Sequence, residues 1–480
     1  MNRRMVFYVT GQIVLLEAIL MALPAVVALI YGENCFWSIL ATIAVAVLLG
    51  LGLTLLRRPK NQTIYAKEGF VIVALSWVLL AAVGALPFWF SREIPCYVDG
   101  FFEMASGFTT TGASILTDVE SMSRGLLFWR SFTHWIGGMG VLVLMMALLP
   151  SGSGRSIHMM RAEVPGPIVG KLVPRIRDTA KILYLIYLVM TLIEVACLLL
   201  ADMPLFDSLI HAFGTAGTGG FGIKATSLGG YNTACQWIIT VFMLLFGVNF
   251  NLYYLLLIRS FRPVFTSREL WVYVAVAAVA TALITGNILS MYDGFGEALR
   301  HAAFQVSSIL TTTGYATTDF DLWPTFSKTI LLLLMFIGGC AGSTAGGLKV
   351  SRLLLLGKTV TRDLRRLVHP RSVGTIKLEG KRVEDPVVRS AGAYLVLYFA
   401  LFAATFLVIS LDAFDMETNL SAVAACINNV GPGFALVGPA ASYAAFSPLS
   451  KLVLSFAMLL GRLELYPLLI AFLPRTWMKD

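Results

Sequence analysis

Four short stretches rich in glycine and threonine are the part of this chain best suited to holding an ion. They read FTTTGAS at 108–114, GTAGTGGFG at 214–222, LTTTGYA at 310–316 and NNVGPGF at 428–434. Glycine has no side chain and adopts positive φ freely, so the carbonyl groups beside it can turn towards a common axis. A ring of carbonyl oxygens replaces the hydration shell of a cation, and threonine hydroxyls add further oxygens or brace the loop.

The four stretches recur at similar intervals along the chain. Their central glycines align as Gly112, Gly219, Gly314 and Gly431, at spacings of 107, 95 and 117 residues. Repetition of this kind indicates duplication of one structural unit. The predicted ion-binding residues are Thr110, Thr111, Gly112, Thr218, Gly219, Gly220, Thr312, Thr313, Gly314, Asn429, Val430 and Gly431. Within that set the ion itself is predicted at Thr111, Thr218, Thr313 and Val430, and no catalytic residue is predicted.

A short amphipathic run of roughly three helical turns precedes each of the four stretches. Irregular backbone at membrane depth is tolerated only where protein buries it or where it lines water, so the four stretches are expected to converge on one cavity. The C-terminal ends of the preceding half-helices carry partial negative charge, which favours a cation there. Glycine and threonine are also common in ordinary turns, but four such turns in register after four half-helices favour a pore.

The composition places these stretches in a membrane protein. Of 480 residues, 58% are hydrophobic and 13% charged, and the mean hydropathy is +0.80, whereas a soluble domain is about 45–50% apolar and about 25% charged. A soluble, disordered or nucleic-acid-binding protein is excluded, because the net charge of +9 comes from basic residues in short loops between apolar runs. The six cysteines are scattered without a CxxC pair, which indicates neither a disulfide framework nor a zinc site.

Ten apolar windows are long enough to cross a bilayer core, which needs about 20 residues per helix. They lie near 5–31, 35–56, 68–90, 126–149, 179–201, 236–258, 269–291, 323–358, 388–411 and 448–473. Lysine and arginine concentrate in alternate loops, beginning with the N-terminal segment, so both termini are expected to be cytoplasmic. Arg3 and Arg4 precede the first window as in a signal peptide, but the window is too long and lacks a cleavage site, which favours a retained helix.

Two motifs imitate nucleotide-binding sites. GTGGFG at 217–222 matches the dinucleotide fingerprint, but that fingerprint requires a preceding β-strand, and a half-helix is predicted there instead. GSTAGGLK at 342–349 approaches a P-loop, with Leu348 at the position of the required lysine. We therefore expect this chain to bind no nucleotide phosphate and to hold no cofactor.

The eighth window is interrupted by the glycine-rich insert GGCAGSTAGG at 338–347. Glycine costs about 1 kcal/mol relative to alanine inside a helix, so the insert predicts a flexible break at mid-membrane. It lies below the stretch 310–316 of its own unit, where a movable loop can block permeation, and a small-residue helix contact is the alternative. The predicted gate residues are Gly338, Gly339, Gly342, Ser343, Thr344, Gly346, Gly347 and Arg462.

Arg462 is near the middle of the tenth window, where a charge costs about 2.5–3.5 kcal/mol on insertion scales. Glu464 follows two residues later, roughly 200° around an ideal helix, so it does not neutralise Arg462 as an i,i+4 partner does. Arg462 is expected to face the pore beneath the glycine-rich stretches and to bond oxygens of the 338–347 insert. An ion pair with an acidic residue of a neighbouring helix is the alternative.

These features together resemble the Trk/Ktr/HKT superfamily of K⁺ transporters, and within it the bacterial TrkH type. The specific matches are the four single-glycine stretches, IGGMG at 136–140, IGGCAGSTAGGLKV at 337–350 and GRLELYP at 461–467. The resemblance implies one pseudo-fourfold pore built from four membrane–pore-helix–membrane repeats, with K⁺ as the transported ion. It also implies a homodimer and cytosolic RCK-type, TrkA-like subunits that bind nucleotide and set the gate. Val430 departs from the family pattern, which has a hydroxyl residue at that position.

The predicted fold is an all-α polytopic membrane protein, with two extra transmembrane helices at 1–66 and repeats at 67–178, 179–266, 267–386 and 387–480. The third repeat contains the gate loop. The predicted function is the membrane subunit of a potassium uptake system in the bacterial inner membrane, and not an enzyme. The alternative is a proton- or sodium-coupled symporter in which Glu17 or Glu194 titrates, because intramembrane carboxylates are functional candidates. Each of the two is expected instead to bond a neighbouring polar group.

Overall fold

A computed structural model describes residues 1–55, 65–140, 176–371 and 374–478. Within these residues the fold is helical, as the sequence predicts, apart from a small antiparallel hairpin of strands Lys377–Leu378 and Lys381–Arg382. Six helical stretches of the described chain are long and apolar enough to cross a membrane, namely Arg3–Ile30, Cys35–Leu55, Ala66–Ser91, Asp178–Leu200, Arg268–Met291 and Asp385–Asp412. The predicted class of a multi-pass helical membrane protein is confirmed.

Two helical stretches at the N-terminus pack closely against each other. Arg3–Leu20 continues as Ala22–Ile30, and Cys35–Leu55 returns beside it. Glycines allow the close approach, since a Cβ atom built on Gly11 would lie 3.0 Å from the Gly50 carbonyl oxygen. Small residues are typical of helix contacts in a membrane, where van der Waals packing drives the association of helices.

Both ends of the described chain lie on one face of the molecule, here called the terminal face. The Asn2 amide donates a hydrogen bond to Glu68 Oε1 at 2.9 Å. The Arg3 guanidinium donates to the carbonyl oxygen of Trp477. The first helix and the helix that begins at Ala66 therefore start on the face where the described chain ends, as an even number of crossings requires.

Four half-helices begin on the face opposite the terminal face and end inside the molecule. These pore helices 1 to 4 are Tyr97–Phe108, Leu205–Gly217, Phe295–Leu310 and Met416–Ile427. The helices that precede them are Ala66–Gly84 with Leu86–Ser91, Ile176–Leu200, Arg268–Ile288 with Leu289–Met291, and Asp385–Ile409 with Ser410–Asp412. Shorter helices are Phe261–Phe265, Phe320–Leu322, Ala435–Val437, Tyr443–Ala445 and Pro474–Trp477.

The helices that follow the pore helices are short or broken, which corrects the expectation of simple crossings at 236–258 and 448–473. They are Arg124–Gly138, Thr233–Phe246 with Phe250–Leu257, Thr325–Ile337 with Val350–Val368, and Pro448–Arg462 with Tyr466–Phe472. The helices Thr233–Phe246 and Phe250–Leu257 meet at a bend of 91°. In the last pair, positive φ at Glu464 and Leu465 ends the helix. The window 126–149 extends beyond the described residues after position 140.

Acidic side chains stabilise the N-terminal ends of the four pore helices. Their first turns contain Asp99, Asp207, Glu297 and Glu417, respectively. Carboxylates complement the partial positive charge of a helix N-terminus. Lys451 Nζ lies 2.7 Å from Asp99 Oδ1, and Lys328 Nζ lies 2.6 Å from Glu417 Oε1. These ion pairs connect neighbouring units at the N-terminal ends of the pore helices. The opposite, C-terminal ends of the pore helices, which are partially negative, point into the molecule.

Candidate functional site

The same backbone motif ends all four pore helices. Just beyond the end of each helix, a single non-glycine residue adopts a left-handed φ, and a glycine two positions after that residue also has a positive φ. The first residues are Thr110, Thr218, Thr312 and Asn429, with φ of 55°, 56°, 57° and 57°. The glycines are Gly112, Gly220, Gly314 and Gly431, with φ of 83°, 75°, 85° and 101°. The middle residue between them donates its amide to a helix carbonyl five residues earlier, which is a Schellman-type helix end.

This motif corrects the alignment of the second stretch by one residue. The sequence aligns Gly219 with Gly112, but the structure places Gly220 there, because Thr218 has the first left-handed φ. Gly219 is therefore the middle residue, and the prediction that Thr218 is equivalent to Thr111 is wrong. Two adjacent glycines leave the register ambiguous in the sequence, and only the end of pore helix 2 fixes it. That helix, and not a β-strand, precedes GTGGFG, as expected.

The four loops contact one another in a closed cycle. A Cβ atom built on each motif glycine would collide with the carbonyl oxygen of the middle residue in the next loop. The pairs, each closer than 3.0 Å, are Gly112 with Gly219, Gly220 with Thr313, Gly314 with Val430, and Gly431 with Thr111. The structure thus brings the predicted ion-binding residues of all four stretches together. Four backbone carbonyls around one axis are the arrangement with which proteins replace the hydration shell of a cation. We call it the carbonyl ring.

Hydroxyl groups brace the loops. The Thr109 and Thr111 hydroxyls are 2.7 Å apart, and the same distance separates those of Thr311 and Thr313. Asn429 Nδ2 donates to Thr111 Oγ1 at 3.0 Å, which joins the fourth loop to the first. The middle residues of the second and fourth loops have no hydroxyl, so the backbone carbonyl is the oxygen that all four loops share at this position.

Threonine occupies three of the four left-handed positions, although a β-branched side chain is unfavourable in that region. Strained backbone of this kind costs of order 1–3 kcal/mol and clusters at ligand-binding and catalytic sites. The strain at Thr110, Thr218 and Thr312 is therefore a second indication, independent of the carbonyl ring, that these loops form a functional site.

The loop between Thr325–Ile337 and Val350–Val368, here called the intramembrane loop (338–349), lies directly against the carbonyl-ring loops. The Gly346 amide donates to Thr312 Oγ1 at 2.6 Å, and the Gly347 amide donates to the Asn428 carbonyl at 3.1 Å. The break predicted at 338–347 is present. All the predicted gate residues except Arg462 lie in this loop, between the carbonyl ring and the terminal face.

The intramembrane loop also binds the sharp bend at 247–249. The Cys340 amide donates to the Gly247 carbonyl at 2.9 Å, and the Phe250 amide donates to the Gly342 carbonyl at 3.0 Å. The loop and the bend thus provide hydrogen-bond partners for each other's buried backbone amides and carbonyls. Leaving these groups without partners inside a membrane would cost free energy. Sequence reasoning missed this bend, and the polar GVN stretch inside an apolar window is the signal that marks it.

Arg462 is the last residue of its helix rather than a mid-helix residue. The positive φ of 53° at Glu464 and 66° at Leu465 ends the helix, so the angle expected for an ideal helix does not apply. Glu464 still does not neutralise Arg462, as the sequence predicts, because it binds a different cation. Its carboxylate accepts two hydrogen bonds from Arg352, at 3.2 and 2.5 Å.

The Arg462 guanidinium joins the intramembrane loop to the end of Arg124–Gly138. It donates to the Thr344 carbonyl at 2.8 Å, and to the carbonyls of Gly137 and Gly138 at 2.6 and 2.5 Å. The predicted contact between Arg462 and oxygens of the 338–347 insert is therefore present. A fixed positive charge lies beneath the carbonyl ring, between the first unit and the third.

Comparison of the sequence and the structure with known proteins identifies the family of this chain. A family model, TrkH, described as a cation transport protein, matches residues 37–270 and 256–478. The Trk system potassium uptake protein TrkH of Salmonella typhimurium is 38% identical over 99% of this chain and 100% of its own length. This chain belongs to the TrkH family.

Two further matches extend the TrkH-family assignment. The Trk system potassium uptake protein TrkG of Escherichia coli is 35% identical, over 99% of this chain and 98% of its own length. The crystal structure of the potassium transporter TrkH from Vibrio parahaemolyticus superposes with a TM-score of 0.89 at 34% identity, covering 100% of both chains. The relatives are named as transporters, so the TrkH family membership confirms that the chain is not an enzyme.

A buried ion pair braces two loops of this TrkH-family chain. Glu103 of pore helix 1 and Arg130 lie 2.5 Å apart, and both side chains are buried. Glu103 also accepts from the Ser114 hydroxyl and the Ile115 amide, each at 2.9 Å. Arg130 donates to the Gly222 carbonyl at 3.1 Å. The pair holds the segments that leave the first and second loops. Sequence reasoning missed it, although charges in two otherwise apolar segments are the available signal.

Two buried carboxyl groups lie outside the carbonyl ring of this TrkH-family chain. Glu17 and Glu194 are 1% and 0% exposed. The Glu17 carboxyl has no hydrogen-bond partner among the residues that the structure describes, whereas the Glu194 carboxyl lies beside the Thr215 hydroxyl of pore helix 2. The expectation of a neighbouring polar group is therefore wrong for Glu17, whereas Glu194 has the Thr215 hydroxyl next to it. Glu17 packs against Gly84, since its Oε1 lies 3.3 Å from the position of a Cβ atom built on that glycine.

Proposed function

We propose that this chain is the membrane subunit of a potassium uptake system and that it conducts K⁺ and Rb⁺ through the carbonyl ring. The observation that carries the proposal is the closed cycle in which each middle-residue carbonyl lies against the glycine of the neighbouring loop. Such a ring offers oxygens to a dehydrated cation, and the pore-helix ends add partial negative charge. The relatives are named as potassium uptake proteins, which supports K⁺ as the ion. Each of the segments 67–178, 179–266, 267–386 and 387–480 contributes one pore helix, after two transmembrane helices at 1–66.

In this proposal the intramembrane loop is the gate. The bond from Gly346 to Thr312 places the loop against the inner side of the carbonyl ring. Arg462 holds the loop there through Thr344, and its positive charge repels cations that have passed the ring. Movement of the loop and of Arg462 away from the axis opens the path.

The proposal assigns the terminal face to the cytosol of a bacterial cell, with the chain in the inner membrane. Lysine and arginine are retained on the cytoplasmic side, and the segment 349–389 alone contains 11 of them. A homodimer is proposed, with RCK-type, TrkA-like nucleotide-binding subunits that dock on this basic face and set the gate. The relatives' names refer to a Trk system, which supports a protein of several components.

A second candidate function is a proton- or sodium-coupled symporter. The buried carboxyl groups of Glu17 and Glu194 favour it, because transport-coupled carboxylates titrate in such surroundings. The two functions differ in driving force. A channel follows the electrochemical gradient of K⁺ alone, whereas a symporter also follows the gradient of the coupling ion.

Uptake of ⁸⁶Rb⁺ into liposomes that contain this chain alone tests the proposal. We expect uptake driven by an outward K⁺ gradient, competed by K⁺ and more weakly by Na⁺ and Li⁺. Rejection of Na⁺ should be weaker than in a tetrameric K⁺ channel, because each loop has one central glycine and stacks fewer carbonyl rings than a TVGYG filter. Uptake equal to that of protein-free liposomes would contradict the channel, and uptake that requires a proton or sodium gradient would favour the symporter.

The ion pair behind the loops gives a further expected result. Glu103→Gln keeps a hydrogen-bond acceptor but leaves Arg130 as a buried charge without its counter-charge, which costs about 3–5 kcal/mol. We expect a lower melting temperature and a lower K⁺-to-Na⁺ flux ratio in liposomes, since the first two loops lose their brace. Glu417→Gln in the first turn of pore helix 4 is the control, because its ion pair with Lys328 is partly exposed and worth less than about 1 kcal/mol, and Lys328 keeps its pair with Asp321. An unchanged flux ratio in Glu103→Gln would show that the pair does not position the loops.

A further inference from the structure

One carboxylate binds the intramembrane loop at both of its ends. Glu269 is the second residue of Arg268–Ile288, and its side chain is 8% exposed. Its Oε1 accepts from the Ala341 amide at 2.7 Å and from the Ser351 amide at 3.2 Å. Ala341 lies near the start of the loop, and Ser351 lies in the first turn of the helix that follows it. The same oxygen therefore holds the entry and the exit of the loop together.

A hairpin on the terminal face reaches this carboxylate from the other side. Glu379 occupies the turn between strands Lys377–Leu378 and Lys381–Arg382, with φ of 48°. Its Oε1 accepts from the backbone amide of Glu269 at 3.1 Å. That amide is in the first turn of its helix, where no intrahelical partner exists, so the hairpin supplies the missing acceptor.

The hairpin is also fixed to the helix that follows the intramembrane loop. Lys358 of Val350–Val368 donates through Nζ to the Lys377 carbonyl at 2.6 Å. Beneath the hairpin, a small apolar cluster joins that helix to the start of Asp385–Ile409; its buried members are Leu355, Ile376, Leu378, Val383, Val388 and Ala391. The hairpin thus contacts the helix that contains Glu269, through Glu379, and the helix whose first turn the Glu269 carboxylate binds. A displacement of the hairpin therefore changes the geometry around that carboxylate.

We propose that Glu269 is the positioning residue that latches the intramembrane loop in its closed position, and that the hairpin at 377–382 sets this latch through Glu379. This inference rests on the proposed role of the loop as the gate. The latch works because two amides without another acceptor, Ala341 and Ser351, are left unsatisfied at membrane depth when the carboxylate withdraws. A partner that displaces the hairpin would break the hydrogen bond between Glu379 and the Glu269 amide. The first turn of Arg268–Ile288 would then shift, and the Glu269 carboxylate would release the loop.

Modification of native cysteines measures the latch without any reference to ion flux. Cys340 is fully buried in the intramembrane loop, whereas Cys96 is exposed and serves as an internal reference in the same molecule. The readout is the rate at which a water-soluble maleimide modifies Cys340 relative to Cys96, followed by peptide mass spectrometry on the full chain in liposomes. Loss of the two amide bonds in Glu269→Ala is expected to raise this relative rate about tenfold.

Matched variants separate the latch from general destabilisation. Glu33 also accepts two backbone amides, from Arg124 and Gly125 at 2.7 and 2.9 Å, but on the face opposite the terminal face. Glu33→Ala should therefore leave the relative rate of Cys340 modification unchanged. Glu269→Gln retains an acceptor oxygen and should give an intermediate rate. Glu379→Ala, on the surface hairpin, should also raise the rate, and it tests the latch even if Glu269→Ala does not fold.

The same liposomes distinguish failure of the latch from failure of the proposed function. The expected result is faster Cys340 modification and higher ⁸⁶Rb⁺ flux in Glu269→Ala and Glu379→Ala than in wild type. Wild-type rates of Cys340 modification in Glu379→Ala, together with wild-type rates in Glu269→Ala or Glu269→Gln, would overturn the latch. Faster modification with no ⁸⁶Rb⁺ flux in any sample, wild type included, would support the latch but contradict the potassium channel.

Discussion

Serine in place of Gly112, Gly220, Gly314 or Gly431 is expected to lower the K⁺-to-Na⁺ flux ratio by about tenfold or more, a difference of about 1.4 kcal/mol between the two ions. Each of these glycines has a positive φ, and a Cβ atom on it would lie closer than 3.0 Å to a carbonyl oxygen of the next loop. Because backbone atoms cannot yield as a flexible side chain does, the carbonyl must move. A displaced carbonyl no longer matches the ion that the ring selects.

Competition of ⁸⁶Rb⁺ uptake by K⁺ and Na⁺ in liposomes measures this ratio. Gly32→Ser is the matched control, because Gly32 has a φ of 67° but open space around its Cβ position. It carries the cost of serine at positive φ without a collision with the ring, so its flux ratio should equal that of wild type. If all four ring variants kept the wild-type ratio, the carbonyl ring would not be the site of selection.

Arg462→Ala is expected to raise K⁺ flux several-fold in the absence of any cytosolic subunit, with normal expression. The guanidinium donates to the Thr344 carbonyl in the intramembrane loop and to the Gly137 and Gly138 carbonyls at the end of Arg124–Gly138. Its removal frees the loop, since each of these charge-assisted hydrogen bonds contributes about 1.5–3 kcal/mol. It also deletes a positive charge beneath the carbonyl ring. Both effects favour cation passage.

A second variant decides whether Arg462 acts through the intramembrane loop. Deletion of Gly342–Gly347 removes the Thr344 acceptor and should by itself give high flux that no longer responds to cytosolic subunits or nucleotide. Arg462→Ala on that background should add less than it adds to wild type, because the two changes then remove one shared interaction. Flux in Arg462→Ala no higher than in wild type, or loss of folded protein, would instead indicate a purely structural role for Arg462.

The parts of the fold that the sequence predicts correctly are those set by composition. Long apolar windows predict the six continuous crossings, since about 20 apolar residues suffice for a helix to span the bilayer. Repetition of short glycine-rich stretches predicts the four converging loops, because irregular backbone at this depth must be buried or must line a cavity. The insert at 338–347 is likewise predictable, since glycines and serine oppose helix formation locally.

The parts that the sequence does not predict depend on contacts between distant segments. The windows 236–258 and 448–473 are apolar enough for unbroken helices, but the first bends to bind the intramembrane loop, and the second ends at Arg462 beside carbonyls of another unit. Glu103 and Arg130 are 27 residues apart, and nothing in either local sequence pairs them. The sequence also does not show which of Gly219 and Gly220 is equivalent to Gly112, because two adjacent glycines fit the same pattern.

The most direct test of the carbonyl ring is the position of a bound ion. A structure of this chain with Rb⁺, by anomalous diffraction at the rubidium edge, locates the ion independently of any flux. We expect an anomalous peak on the axis of the ring, surrounded by the carbonyl oxygens of Thr111, Gly219, Thr313 and Val430. A chain that shows no peak there, or whose Rb⁺ lies instead beside the Glu194 carboxyl, would contradict the assignment of the four loops as the cation filter.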